Sequence, residues 1–165
     1  MLNDEVGFAE DDIVSWGDPE IREKYEAALG RFILAFNEVD YRIANLLYYE
    51  LSSRNLHNTI KFGINSSFAQ RVNLLAIIQG TSTNSNIRTL PCEIASNLNQ
   101  HRNNLVHGHF DENPFDGTYK VLGNKTTDYP LTKINSLTQE FAILIKQLKL
   151  AEISFMFEDV MTAPE

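Results

Sequence analysis

"HRNNLVHGHF", residues 101–110, ends a helix and gathers polar groups at that end. Ile94, Leu98 and Leu105 form an apolar stripe at helical spacing, and Gly108 follows at the position where helices stop. Arg102 falls between Leu98 and Leu105 on the apolar side. A guanidinium there needs a partner: a carboxylate, a backbone carbonyl, or a phosphate from outside. Ser96, Gln100, Asn103 and His107 form an adjacent polar stripe. Asn103 and His107 are one turn apart, so the amide can reach the imidazole and orient it. Arg102 and His107 are five residues apart, about 140° around an ideal helix. They do not converge within one helix, but two copies facing across a two-fold axis could bring them around one cleft. The plain structural reading is a histidine that complements the helix dipole, followed by an ordinary glycine stop.

Working outward from that helix, the rest of the chain is also helical in pattern. Asp18 suits an N-cap, Pro19 the first helical position and Glu20 the first turn. Tyr25, Leu29, Phe32, Phe36, Val39, Ile43 and Leu46 or Leu47 then recur at helical spacing to about Leu51. Gly30 is the natural place for a bend or break. A polar connection over 52–67 has room for one short helical turn. Ser66 or Ser67 caps a second helix, Phe68 to Gln79, which Gly80 ends. After a loop, a third helix runs from about Asn86 to His107, with Pro91 starting its main body or kinking it. Asp116-Gly117 and Gly123-Asn124 mark turns around the apolar run Tyr119 to Leu122, which reads as a small hairpin. The last helix runs from about Thr132 or Ser136 to Phe157, with Phe141, Ile143, Leu144, Leu148, Ile153 and Phe157 as its core face. The expected fold is all-α: a four- to five-helix up-down bundle with a small β-hairpin insertion before the last helix.

Composition narrows the function classes. The 165 residues suit one domain, residues 18–165, preceded by an acidic arm over 1–17. Of the net charge of −8, most belongs to the first 20 residues, which hold seven acids and no Lys or Arg. The remainder has 15 of the 22 acids against all 14 bases, a net of −1. That excludes a strongly basic nucleic-acid coat, though not a small basic cleft. In the arm, Phe8, Ile13, Val14 and Trp16 provide anchors, and its acids are ordinarily a solvated segment. A sharper reading has the arm fold over a basic cleft and compete with RNA. Cys92 is the one cysteine, so no internal disulfide forms. No secretory signal and no membrane-length apolar run is present, so a cytoplasmic, non-membrane protein is expected.

The run Arg102-Asn103-Asn104-Leu105-Val106-His107 resembles the Arg–polar–three residues–His signature of the HEPN superfamily (higher eukaryotes and prokaryotes nucleotide-binding). The resemblance implies a helical bundle, often homodimeric, with the motif near the end of a late helix facing the partner copy. It implies either a metal-independent endoribonuclease, frequently a toxin or defence effector with a cognate antitoxin or regulator, or a catalytically silent module that binds RNA or nucleotide. In the toxin branch whose antitoxin modifies it, a tyrosine stands where this chain has His109, so AMP attachment there is not expected.

The chemistry suits the residues. RNA carries its own nucleophile, the 2′-OH, so no metal or other cofactor is needed. Imidazole suits proton transfer near neutral pH, and a guanidinium fork suits phosphoryl oxygens. As the resemblance implies, His107 is base or acid, Arg102 clamps the phosphate and Asn103 orients His107. A plain helical dimerisation protein without ligand is the reading from a different class. His101, His107 and His109 have spacings that match no helix-borne zinc pattern, and Cys92 lacks a paired cysteine. Asp111, Glu112 and Asp116 lack the spacing of a calcium loop. His57 reads as surface, and Phe32, Phe36, Tyr41, Tyr48 and Tyr49 read as core, except that Tyr48 and Tyr49 cannot share one face.

Overall fold

Asp18 accepts a hydrogen bond from the Glu20 N–H at 2.9 Å, and Pro19 needs no such partner, so the first helix starts there. In the computed structural model, residues 18–110, 120–122 and 127–161 are described. The expected arm over 1–17, the Asp116-Gly117 and Gly123-Asn124 turns, Tyr119 and the acids of 111–116 lie outside them. The helices are α1 (Pro19–Ser53), α2 (His57–Asn65), α3 (Phe68–Gln79), α4 (Ser85–Arg88), α5 (Cys92–His107) and α6 (Leu131–Met161). Between α5 and α6 stand β1 (His109–Phe110), β2 (Lys120–Leu122) and β3 (Thr127–Asp128), one small antiparallel sheet in that order. The fold is the expected all-α bundle.

Helix α1 runs unbroken through Gly30, where a bend or break was expected. Its Tyr25, Phe32, Phe36, Val39, Ile43, Leu46 and Leu47 are buried, as their spacing indicates. Asn55, with φ of 58°, turns the chain back at its end. The connection to α3 holds more helix than a single turn, namely the nine residues of α2. Helix α3 begins with a reciprocal cap: Ser67 Oγ accepts from the Gln70 N–H, and Gln70 Oε1 accepts from the Ser67 N–H.

The expected third helix is divided. Pro91 lacks an N–H and cannot continue a helix from Ile87. The Ile87 carbonyl instead accepts from the Leu90 N–H and from Gln79 Nε2, which also donates to the Leu90 carbonyl at 2.7 Å. Asn84 caps α4 and donates to Ser154 Oγ at 2.6 Å, tying α4 to α6.

Cross-contacts set the directions. Phe32 and Phe36 meet Phe141, Glu38 meets Lys149, and Arg42 meets Glu152, so α1 and α6 run parallel and in register. Phe36 meets Phe68, and Asp40 meets Arg71, so α3 runs with α1 as well. Helix α5 runs against α1, with Ala95 lining the same small void as Ile43, and Arg102 further along, over Phe36. On α6 the core face is Ile134, Leu137, Phe141, Leu144, Leu148 and Ala151. Ile143, Ile153 and Phe157, expected there, are exposed, as are Tyr41 and Tyr48 on α1. Among the described residues, no helix is long and apolar enough to cross a membrane.

Gly108 ends α5 with φ −76° and ψ 156°, an extended rather than left-handed conformation. Its N–H donates to the Asn104 carbonyl at 2.8 Å. The reason for glycine is space. A Cβ there would overlap Val121 Cγ1 and the Asn104 carbonyl oxygen, and would come to 3.0 Å from the Leu122 carbonyl oxygen. Gly30 has nothing within 4 Å of its Cβ position. The two glycines therefore respond oppositely to alanine. Gly108→Ala should destabilise by about 1–3 kcal/mol through overpacking against backbone. Gly30→Ala should stabilise by about 0.5–1 kcal/mol through helix propensity. Chemical denaturation of both variants reads the signs, and a stabilising Gly108→Ala would contradict the close approach of β2.

Candidate functional site

The last two turns of α5 present three different faces. Leu98 and Leu105 are buried, and Ala95 takes the inward place expected of Ile94, which is exposed. Arg102 follows this inward side and is partly buried. Its guanidinium carbon stands 5.0 Å from the centroid of the Phe36 ring, and Nη1 donates to Asn103 Oδ1 at 3.0 Å. An aromatic face thus fills the role for which a carboxylate, carbonyl or phosphate was expected. Among the described residues no carboxylate pairs with Arg102.

Phe36 is itself fixed. It meets Phe68 of α3 at 4.7 Å between centroids and Phe141 of α6 edge-on at 6.0 Å. Arg102 therefore rests on a ring that cannot easily move.

The polar stripe of Ser96, Gln100, Asn103 and His107 is exposed along its length. His107 occupies the last position of α5 and has no side-chain hydrogen bond among the described residues. Asn103 engages Arg102 rather than His107. In the single chain, Arg102 and His107 leave α5 in different directions, as their spacing indicates, and no side chain among the described residues joins them.

The third face was not legible from spacing. His101 Nδ1 lies 2.8 Å from the Tyr129 hydroxyl, and Asn104 Nδ2 donates to the same oxygen at 3.2 Å. With the imidazole proton on Nε2, the Tyr129 hydroxyl donates to His101 Nδ1 while it accepts from Asn104. Tyr129 is buried, and Lys133 Nζ stands 4.5 Å from its ring centroid. Burial, then the Lys133 charge, lowers the His101 pKa, against a smaller raising effect of Glu140. Burial raises the Tyr129 pKa, against the Asn104 hydrogen bond. No local pattern links His101 to a residue 28 positions away. The one available cue was that His101 and Asn104 stand one turn apart.

Cys92 opens α5, where a helix N-terminus would favour the thiolate. Burial dominates and pushes the thiol up to about 11, so it is protonated at neutral pH. His109 is exposed in β1 and pairs through its backbone with Leu122. His57 is exposed at the start of α2. Among the described residues, no three His, Cys, Asp or Glu side chains gather where a metal could sit.

His101 generates a pH dependence. Its pKa in the folded state is lowered, whereas the unfolded chain keeps the ordinary value of about 6.5. Between the two values the unfolded state binds the extra proton, so stability rises with pH there and levels off above about 6.5. Tyr129→Phe leaves His101 Nδ1 and Asn104 without their shared partner. It should cost about 1–2 kcal/mol and move the His101 titration upward, because the donor that favours the neutral ring is gone. Imidazole proton resonances followed against pH test this. A His101 titration unmoved by Tyr129→Phe would exclude the hydrogen bond as a determinant.

No family model matches the chain, and neither a search of curated proteins nor one of solved structures finds a match.

Proposed function

We propose that the chain is a HEPN-type, metal-independent endoribonuclease whose site forms from Arg102 and His107 of two copies. The observation that carries this reading is Arg102. Its guanidinium is partly exposed, lacks a carboxylate among the described residues, and is steadied by Phe36 and Asn103. Such a group is ready for an anion and loses little side-chain freedom on binding one. His107, exposed at the helix end, has room to meet a substrate. The 2′-OH of RNA attacks the adjacent phosphorus and loses its proton to one imidazole. The bond to the 5′-oxygen breaks, and that oxygen takes a proton. A 2′,3′-cyclic phosphate remains. Arg102 stabilises the phosphoryl oxygens as negative charge builds.

A second reading is a silent HEPN-like module that binds RNA or nucleotide. It is favoured by the divergence of Arg102 and His107 within one chain and by Asn103 engaging Arg102 rather than His107.

The purified protein should cleave single-stranded RNA in excess EDTA and leave 2′,3′-cyclic phosphate ends. His107→Ala should slow cleavage by about 10²- to 10⁴-fold while changing stability by no more than about 0.5 kcal/mol, as at other exposed positions. Arg102→Lys should also be severely impaired, because an ammonium replaces neither the planar fork nor its stacking on Phe36. Full activity in His107→Ala, or a requirement for divalent metal, overturns the mechanism. RNA binding without cleavage transfers the conclusion to the silent module.

A further inference from the structure

His101, Tyr129 and Asn104 form a chain of polar groups that the cleavage chemistry proposed above does not use. The Tyr129 hydroxyl oxygen stands 2.8 Å from His101 Nδ1 and 3.2 Å from Asn104 Nδ2. Tyr129 has no exposed surface, and among the described residues its hydroxyl has no other hydrogen-bond partner. A hydroxyl donates once and accepts through its lone pairs, so two arrangements satisfy all three side chains. In the first, His101 is neutral with its proton on Nε2. Asn104 Nδ2 then donates to the tyrosine oxygen, and the hydroxyl donates to His101 Nδ1. In the second, His101 is charged and Nδ1 must itself donate. The tyrosine oxygen accepts that bond, and the hydroxyl proton needs an acceptor elsewhere. Asn104 supplies one when its amide turns over and Oδ1 takes the place of Nδ2. Among the described residues Asn104 makes no other side-chain hydrogen bond, so the turn breaks nothing else. The last torsion of an asparagine side chain is broad and roughly two-fold, which permits it. Without the turn, the hydroxyl proton of a buried tyrosine would be left unpaired.

We propose that these three side chains form an acid-driven switch: protonation of His101 reverses the whole hydrogen-bond chain and displaces Lys133 from Tyr129. One proton enters from solvent and none leaves Tyr129, whose hydroxyl burial keeps protonated. The ionisable groups that act on the His101 ring, besides Tyr129 itself, are Lys133 and Glu140, both on α6. Lys133 Nζ stands 4.5 Å from the Tyr129 ring centroid and donates to the Asp128 carbonyl at 2.9 Å. The His101 ring meets the same tyrosine ring edge-on, at 5.7 Å between centroids. A charged imidazole therefore sets a second cation against a ring that an ammonium already occupies. Glu140 favours the charged ring, but less than Lys133 opposes it. Lys133 is the group that yields, because it is partly exposed and can swing its charge into solvent. Its release frees Asp128, at the end of β3, from the first turn of α6. Burial and Lys133 hold the His101 pKa below its ordinary value, so the switch turns below a pH of about 6.5. It does not rest on the RNA chemistry proposed for Arg102 and His107, and it is read in the chain without substrate.

NMR titration of the full chain through and below the ordinary histidine range, about pH 6.5, tests the switch. The ring nitrogens of His101 should report a proton on Nε2 alone above the midpoint and on both nitrogens below it. The side-chain amide resonances of Asn104 should move with that same midpoint. So should the methylene protons beside the Lys133 ammonium, which lose the ring-current shift of Tyr129. Asn104→Asp keeps the side-chain shape but offers only acceptors when ionised, which fixes the reversed chain. It should raise the His101 midpoint by about one pH unit or more. Lys133→Met should also raise it, by removing the opposing charge. A neutral His101 ring protonated on Nδ1, an Asn104 amide that does not follow the titration, or an Asn104→Asp midpoint no higher than that of the wild type overturns the switch. Lys133 signals that stay fixed overturn its displacement. A His101 that gains its proton only as circular dichroism records unfolding also overturns the switch, because the reversed chain is then never native. Should Asn104→Asp fail to fold, the Asn104 and Lys133 signals of the wild-type protein decide alone.

Discussion

The ring of Phe36 is the point at which the helices meet. Phe68 brings α3 to it, Phe141 brings α6, and Arg102 brings the end of α5. Aromatic pairs of this kind contribute about 0.5–1.5 kcal/mol each beyond the area they bury. Their larger consequence is geometric. Once Phe36 is held on two sides by rings, the one face left to α5 is the face Arg102 covers. The rotation of α5 follows, and with it the outward direction of the Asn103 and His107 stripe. The exposed stripe of α5 is thus placed by packing on α1, more than 60 residues earlier in the chain.

Partly buried ion pairs fix the register that the rings leave free. Arg42 joins Glu38 at 2.8 Å and Glu152 at 2.5 Å, bridging α1 to α6. Arg71 joins Asp40 at 2.5 Å and donates to the Ser66 carbonyl at 2.6 Å, bridging α3 to α1. Arg54 pairs with the buried carboxylate of Glu50 and donates to Thr81 Oγ1 at 2.8 Å. Replacing such pairs by apolar groups is often neutral or stabilising, so their value lies less in net stability than in specifying one alignment. A slip of α6 by one turn would leave Glu152 buried without its guanidinium. Arginine suits all three positions, because its fork satisfies two partners at once.

Local chemistry was legible in the sequence and distant contact was not. The start of α1 and both ends of α3 were readable because caps depend on residues within three or four positions, as with Asp18, Pro19, Ser67 and Gly80. The buried set of α1 was readable because a 3.6-residue repeat needs no knowledge of the partner. Helix α6 was half legible. An apolar residue at helical spacing carries no mark of which side a neighbour will cover, so Ile143 and Phe157 read as core alongside Phe141 and Leu144. Tyr41 was misplaced for the same reason, whereas Tyr48 is the exposed member of the Tyr48/Tyr49 pair that could not share one face. The division at Pro91 was visible as a kink or start, but α4 depends on Gln79 capturing the freed carbonyls from another helix. Gly108 was correctly located as a stop for a reason that does not operate. Its glycine answers to Val121, a strand away. At the site, the divergence of Arg102 and His107 followed from five residues of spacing, whereas Phe36 and Tyr129 as partners for Arg102 and His101 had no local signature.

What Arg102 spends on the fold and what it keeps for a ligand can be counted. The side chain is partly buried and its charge rests on Phe36, so it packs as part of the core edge. Of the five N–H donors of a guanidinium, one at Nη1 is given to Asn103 Oδ1. Among the described residues, Nε and Nη2 donate to nothing. A phosphate approaching from solvent therefore meets unspent donors on a group already oriented, and it needs to displace only a single amide contact. Asn103 is exposed and free to turn aside once that contact is replaced. Neither Phe36 nor the backbone of α5 has to move. The anion site proposed at Arg102 is thus compatible with an unchanged core.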